Sequence, residues 1–161
     1  MKRERNFKVY LNNPSMRAAL FAPVKPDETD RIGHLAESAI FSQWQHSKEM
    51  RRLRYARWKA GGEVDVVYLG GNEKPQWIGE IKWSDRIDNH FGQETAAMEV
   101  LLGKHKTINT AFFTTKTISR EVDLMNRRLH LRPTAFYCYI VGRNITSRLE
   151  EIVGEVVGKA A

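Results

Sequence analysis

The sequence predicts an α/β domain in which helices flank a mixed central β-sheet. Apolar residues recur at helical spacing from Arg31 to His46. Apolar strand-like segments follow, with EVDVVYL and QWIGEIKW on either side of the turn GGNEKP. A second helical pattern, QETAAMEVLLGKH, then separates these strands from further apolar segments. This alternation along 161 residues predicts a single domain with one core.

The N-terminal elements are predicted from short signals. FKVYL has the pattern of a brief strand. Asn13 is placed to cap a short helix whose first position is Pro14. APVKPDETD, with its two prolines and several acids, is a loop. Asp30 is the expected N-cap of the long helix that follows.

The remaining elements are predicted in the order strand, hairpin of two strands, helix, two strands, helix: LRYARWK, EVDVVYL, QWIGEIKW, QETAAMEVLLGKH, INTAFFTT, TAFYCYIV and RLEEIVGEVV. The segments INTAFFTT and TAFYCYIV are apolar on both faces, which is typical of central strands covered by helices. We expect residues 1–28 to form an N-terminal strand, short helix and loop that pack on an α/β core of residues 29–161.

The composition limits the class of partner. A formal charge of +7 and a pI of about 9.7 favour a polyanion, nucleic acid first, with equal weight for a protein that is merely basic. The single cysteine, Cys138, excludes a disulfide framework and a thiolate zinc site. The longest apolar run, Ala135 to Val141, is too short to span a bilayer, and MKRERNFKVYL lacks a signal-peptide stretch. A cytoplasmic protein without a membrane partner is expected.

Acidic side chains interrupt the predicted hairpin. Alternation along a strand places Glu80 and Lys82 on one face. With a turn from Gly70 to Pro75, Leu69 pairs with Gln76, and Asp65 lies directly opposite Glu80. Carboxylates so close together raise one pKa or require a cation between them. Mg²⁺ suits this arrangement because it binds one or two carboxylates together with water and phosphate oxygens.

Three further side chains have two interpretations each. Glu37 lies at the edge of the apolar stripe of the long helix, where it can reach the sheet as a metal ligand or remain a solvated acid. Lys82 can stabilise negative charge on a phosphate or orient a water, or it forms an ordinary ion pair with Glu80 or Asp65. Glu63 is an auxiliary ligand or an exposed acid at a strand end.

The segments EVD and EIK, joined by a hairpin, resemble the D…E-x-K core of the PD-(D/E)XK nuclease superfamily. The variant is the one in which a preceding helix supplies a further Glu. The segments VYLNNPSMRAALF, GHLAESAIFSQW, YARWKAGGEVDVVYL and WIGEIKWSDR are similar to the domain of unknown function at the C-terminus of prokaryotic AAA-type P-loop ATPases. Val64 stands where the motif has its proline.

The resemblance implies a restriction-endonuclease-like α/β sandwich in a prokaryotic protein. It implies that Glu37, Asp65 and Glu80 bind Mg²⁺ or Mn²⁺, and that Lys82 is the catalytic lysine. No G-x-x-x-x-G-K-[ST] motif occurs, so an ATPase would act as a partner in cis or in trans, and the chain is a stand-alone relative or a detached C-terminal domain. A homodimer is a further expectation by analogy.

Basic residues are the candidates for nucleic-acid contact. Arg52, Arg54, Arg57 and Lys59 precede the hairpin, and Lys116 follows INTAFFTT. They either track DNA phosphates or keep an edge strand soluble. A second basic cluster is predicted in a loop: Arg127, Arg128, His130 and Arg132. Gln93 is a weaker candidate for orienting a water, and the five histidines show no metal-ligand spacing.

The sequence thus predicts metal-dependent hydrolysis of phosphodiester bonds in DNA. The alternative is a catalytically silent module that binds nucleic acid or regulates an ATPase.

Overall fold

The structure, a computed structural model, describes residues 9–11, 13–45, 47, 51–59 and 62–158. The helices are α1 (Pro14–Phe21), α2 (Thr29–Trp44), α3 (Phe91–Lys104) and α4 (Thr134–Gly158), with a 3₁₀ turn at Arg86–Asp88. The strands are β1 (Leu53–Arg57), β2 (Glu63–Leu69), β3 (Pro75–Glu80), β4 (Thr110–Thr115), β5 (Arg120–Asp123) and β6 (Arg128–Pro133).

The strands form one mixed six-stranded sheet in the order β1-β2-β3-β4-β6-β5. β3, β4 and β6 are parallel to one another, whereas the pairs β1–β2 and β2–β3 on one side and β6–β5 on the other are antiparallel. Parallel neighbours need a crossover, which α3 provides between β3 and β4. The predicted α/β class with a mixed sheet flanked by helices is confirmed.

Helices cover both faces of the sheet. Met98 and Leu102 of α3 pack on one face against Ile78 and Phe113. On the opposite face, α2 and α4 pack against the central strands. This cluster combines Ile40, Phe41 and Trp44 of α2 and Val141 of α4 with Val66 of β2, Phe112 of β4 and Ile81, which follows β3. Gly79 lies beneath the ring of Phe112, which occupies the space that a Cβ would need. None of the described helices is long and apolar enough to cross a membrane.

The predicted strand TAFYCYIV is wrong, because this segment opens α4. Its apolar run suits a strand as well as a helix, and only the packing discriminates. Tyr137 and Val141, one helical turn apart, face the core, whereas Phe136 and Tyr139 are exposed.

The strand lies just before that helix, in the basic cluster that was predicted to be a loop. Leu129 and Leu131 are buried, and they alternate with Arg128, His130 and Arg132 on β6, while Arg127 precedes the strand. Buried and charged residues alternate in this segment with the period of two that is typical of a strand, but the large number of charged residues favoured the prediction of a loop. The short edge strand β5, with the sequence REVD, was not predicted at all.

The N-terminal predictions are partly confirmed. Asn13 caps α1, since its Oδ1 accepts a hydrogen bond of 2.8 Å from the Ser15 N–H. α2 begins at Thr29, so Asp30 lies inside the helix and is not its cap. Of FKVYL, residues 7 and 8 lie outside the described residues, and 9–11 belong to no strand. His46, the predicted end of the long helix, also lies outside the described residues.

The hairpin of β2 and β3 has the predicted register over its centre. Val66 pairs with Gly79, and the next two pairs follow in step. Leu69 pairs with Pro75 and not with Gln76, because the register shifts by one residue beside the turn. Pro75 is therefore the first residue of β3 and not the last of the turn.

Candidate active site

A cleft opens where β2 and β3 separate from each other. Its volume is about 420 Å³, and it contains all four residues predicted to form the site. Glu37 comes from α2, Asp65 from β2, Glu80 from the last position of β3, and Lys82 from the segment just beyond it. The lining residues that the structure describes are Val9, Tyr10, His34, Glu37, Glu63, Asp65, Glu80 and Lys82.

A β-bulge lies at Asp65. Arg54 pairs with Val67 and Ala56 pairs with Val64, so two residues of β2 oppose one residue of β1. The extra residue lets Val64 and Val67 face the same core cluster although they are three positions apart. Bulges of this kind re-aim side chains next to functional sites. Here the bulge coincides with the buried carboxylate, which is 5% exposed.

Side chains, and not backbone pairing, hold the segment after β3. The Ile81 N–H donates to Asp65 Oδ2 at 3.0 Å. The Lys82 N–H donates to Thr114 Oγ1 at 2.8 Å, and the same hydroxyl donates back to the Lys82 carbonyl at 2.9 Å. Thr134 Oγ1, at the start of α4, donates to that carbonyl at 3.1 Å. The main chain of Lys82 is thus fixed from two neighbouring elements.

The side chain of Lys82 returns to Glu80. Its Nζ lies 2.7 Å from Glu80 Oε1. The other oxygen, Oε2, is buried and has no hydrogen-bond partner among the described residues. Buried polar atoms are almost always paired, so this oxygen has an acceptor position to offer to a ligand.

The electrostatics of this pair follow from burial and from neighbouring acids. Burial, together with the negative charge of Asp65, raises the pKa of Glu80 to about 7, although Lys82 partly offsets the shift. Burial by itself would lower the pKa of Lys82, but the carboxylates around it, Glu80 above all, outweigh burial and raise that pKa. Near neutral pH, both the protonated and the ionised form of Glu80 are therefore populated.

Glu94 is a further acid near the site that the sequence analysis did not single out. It lies in the first turn of α3, contributes to the raised pKa of Lys82, and contacts Arg86 Nε at 3.6 Å. The sequence analysis named its neighbour Gln93, which is exposed and does not line the cleft. The signal that favours Glu94 is its position one turn before buried Met98.

His34 and Tyr10 were also missed. His34 lies one helical turn before Glu37 on α2, and both face the cleft. The Tyr10 ring stacks on Phe41 of α2 with centroids 4.0 Å apart, which brings the N-terminal segment to the cleft wall. The i, i+3 spacing of His34 and Glu37 is the signal in the sequence that could have identified the histidine. Glu63 also lines the cleft and is half-buried.

The donor set of the cleft fits a hard divalent cation that keeps some of its water. Within the described part of the chain, no group of three or more acidic, histidine or cysteine side chains is arranged to hold a metal by itself. Mg²⁺ does not require such a cage, because one or two carboxylates and several waters are its usual ligands. Asp65 and Glu80, with the unpaired Oε2, meet that need, and Glu37 lies on the facing helix.

The basic candidates lie outside the cleft lining. Arg54 Nη1 donates to the carbonyls of Arg51 and Leu53, so its side chain lies along the chain at the start of β1. Arg57 Nε is 3.9 Å from Glu63 Oε2 and connects the edge strand to the cleft. Three other candidates are exposed: Arg52, Lys59 and Lys116.

The comparisons add no relative of known function: no protein-family model, no curated protein and no solved structure matches this chain. The site must therefore be interpreted from its own residues.

Proposed function

We propose that the protein hydrolyses phosphodiester bonds in DNA with the help of Mg²⁺ or Mn²⁺, as a member of the PD-(D/E)XK nuclease superfamily with a restriction-endonuclease-like fold. The observation that carries the proposal is the buried carboxylate of Glu80, which lies near Asp65 and Lys82 and whose Oε2 has no hydrogen-bond partner among the described residues. The resemblance of EVD and EIK to the D…E-x-K motif supports the same chemistry.

The charge distribution supports a cation in the cleft. Of the lining residues that the structure describes, four are carboxylates and Lys82 is the only lysine or arginine. A phosphate would be repelled from such a cleft unless a cation first compensated the carboxylates. The protein as a whole carries +7, so a polyanion is attracted to the surface around this acidic site.

Each residue of the candidate site has a defined role in this proposal. Asp65 and Glu80 would hold the metal ion, with Glu37 as a direct or water-mediated ligand. The bound ion supplies the positive charge that makes water a nucleophile at neutral pH. Lys82 would leave Glu80 Oε1 as metal binds and donate to an oxygen of the phosphate, where negative charge grows during the reaction. Thr114 and Thr134 keep its main chain in place.

A catalytically silent module that binds nucleic acid or regulates a P-loop ATPase is the second candidate. The observation that favours it is the ion pair between Lys82 and Glu80, which neutralises both groups without any metal. Under this proposal the basic residues of β1 would bind DNA and the cleft would have only a structural role. The resemblance to domains of ATPases is the basis for that partner.

Cleavage of DNA tests the first proposal directly. Branched, single-stranded and duplex DNA are incubated with the protein and Mg²⁺ or Mn²⁺, and the products are separated on a gel. We expect metal-dependent cleavage that is lost in Asp65→Asn, Glu80→Gln and Lys82→Ala, with rates at least about a hundredfold lower.

Glu73→Gln is the matched control, since Glu73 lies in the turn at the opposite end of the same hairpin and is exposed. It should cleave like the wild type. Cleavage that survives in Lys82→Ala would show that the assigned site is wrong. DNA binding without cleavage by any metal would establish the silent module instead.

A further inference from the structure

We propose that His34 is a phosphate-binding residue of the cleft, an inference that rests on the proposed function and assigns it a further substrate contact. His34 is exposed, lines the cleft, and its imidazole forms no hydrogen bond or ion pair with the described residues. Its main-chain carbonyl accepts a bond from Ser38 Oγ, which leaves the ring itself uninvolved. The ring therefore offers the cleft a hydrogen-bond donor that no described residue engages.

The cleft needs such a donor. Among the described lining side chains, Lys82 has the only permanent positive charge, and that charge is paired with Glu80 at 2.7 Å. A phosphodiester has two non-bridging oxygens, so metal contact on the carboxylate side leaves a second acceptor for the facing wall. The wall across from the strands is α2, and it presents Glu37 and His34. A carboxylate repels a phosphate oxygen, whereas an imidazole N–H donates to it.

His34 is not proposed as a metal ligand. No cluster of three or more potential ligands exists among the described residues, so the histidine does not complete a metal cage with the acids of the cleft. Imidazole also suits zinc, copper and nickel better than it suits Mg²⁺. The ring is thus assigned to the substrate and the carboxylates to the cation.

The test is DNA binding, measured separately from cleavage. Fluorescently labelled DNA is titrated with wild-type protein, His34→Ala and His34→Arg in Ca²⁺, which shares the oxygen-ligand preference of Mg²⁺, and a gel verifies that the DNA stays intact. We expect His34→Ala to bind about tenfold more weakly, the size of one lost hydrogen bond to a charged group. His34→Arg keeps a donor and should bind like the wild type.

His105→Ala is the matched control. His105 follows the C-terminal end of α3, close to the start of β4, whereas the cleft lies at the end where the parallel strand β3 finishes. This variant should bind DNA normally. An unchanged Kd for DNA in His34→Ala would overturn the inference and leave the nuclease proposal standing if the wild type still cleaves DNA.

Calorimetry with Mn²⁺ in the absence of DNA provides the second readout. The Kd for Mn²⁺ should be the same in His34→Ala and in the wild type. Weaker Mn²⁺ binding would identify His34 as a metal ligand and overturn its assignment to the phosphate. A wild-type protein that neither binds nor cleaves DNA would remove both proposals together.

Discussion

Glu80 combines two conditions that seldom occur together in a carboxylate. One oxygen forms an ion pair with Lys82, while the other is buried without a partner among the described residues. Burial alone favours the protonated acid, and Asp65 adds to that preference. A cation between the two carboxylates would reverse it, because both acids are then stabilised in their charged forms. A proton and a metal ion would therefore compete for the carboxylate of Glu80.

Metal affinity should follow the protonation of Glu80. Because the pKa of this carboxyl is raised to about 7, a proton competes with the metal below that pH and no longer does so above it. We expect the association constant for Mn²⁺ to rise with pH up to about 7 and then to level off. Titration calorimetry between about pH 5 and 8 measures this dependence.

Calorimetry in two buffers of different ionisation enthalpy provides an independent check. At about pH 6 the binding of Mn²⁺ should release close to one proton. The variant Glu80→Gln should bind Mn²⁺ weakly and release none. An affinity that stays flat across pH 6 and 7, with no proton release, would contradict the assignment of Glu80 as a ligand.

At the scale of elements, the end of β3 is decisive. The backbone ladder with β2 and β4 ends near Glu80, and Asp65 and Thr114 then satisfy the next N–H groups by their side chains. The Lys82 carbonyl also accepts bonds from the hydroxyls of Thr114 and Thr134. With the main chain held in this way, the ammonium group of Lys82 lies 2.7 Å from Glu80 Oε1. Side chains from other elements thus position the lysine after the ladder ends.

Thr114→Val should show the value of this anchor. The hydroxyl is fully buried, and its loss leaves the Lys82 N–H without its partner. We expect the free energy of unfolding to fall by about 1–3 kcal/mol, measured by urea denaturation. The rate of DNA cleavage should fall by more than the loss of folded protein explains. The change should be mainly in kcat and less in KM, because Lys82 loses its position.

Two variants of the same strand separate these effects. Thr114→Ser keeps the hydroxyl and should recover most of the activity. Thr110→Val removes a half-buried hydroxyl whose bond to the Arg128 carbonyl is long, at 3.4 Å, and should change stability by less than about 0.5 kcal/mol. If Thr114→Val and Thr110→Val behave alike, the anchor has no special role.

At the scale of the whole molecule, charges of opposite sign are separated. The protein is basic overall, yet the cleft is lined by four carboxylates. On β5 and β6, Glu121 contacts Arg128, His130 and Arg132, so its single negative charge offsets part of the positive charge of that basic cluster. Among the described residues, the exposed cations around β1 form fewer contacts with acids and are the better candidates for contact with phosphates.

Salt dependence of DNA binding distinguishes these two basic regions. Arg52→Ala removes an exposed cation next to β1, and we expect the slope of log K against log salt to become shallower by about one unit. Arg132→Ala removes a residue held by Glu121 and by the Arg120 carbonyl, and should leave the slope unchanged. Equal slopes for Arg52→Ala and the wild type would argue against DNA contact at β1.

Much of the fold was predictable from local signals. α1 with its Asn13 cap, the period of α2 and the central register of the β2–β3 hairpin all depend on residues close together in the sequence. It was not predictable that the segment before Pro133 is a strand and that the segment after it is a helix. The apolar run of TAFYCYIV satisfies both periods, and the charges of β6 resemble a loop until Leu129 and Leu131 are seen in the core.

Part of the candidate site was predictable for the same reason. Alternation and a short turn are sufficient to bring Asp65 next to Glu80, and helical spacing is sufficient to place Glu37 at the edge of an apolar stripe. His34, Glu94 and Thr114 could not be identified in this way. Each acquires its role only by reaching a side chain or main-chain group on another element.

The sequence by itself determined the α/β class, the acidic hairpin and the basic surface, because these follow from composition and from periods of two and 3.6 residues. Only the tertiary structure decided that β2 bulges at Asp65, that β3 stops before Lys82, and that one oxygen of Glu80 is buried with no partner in the described part of the chain. The physical reason is that burial and hydrogen-bond satisfaction are properties of groups distant along the chain, which local patterns do not encode.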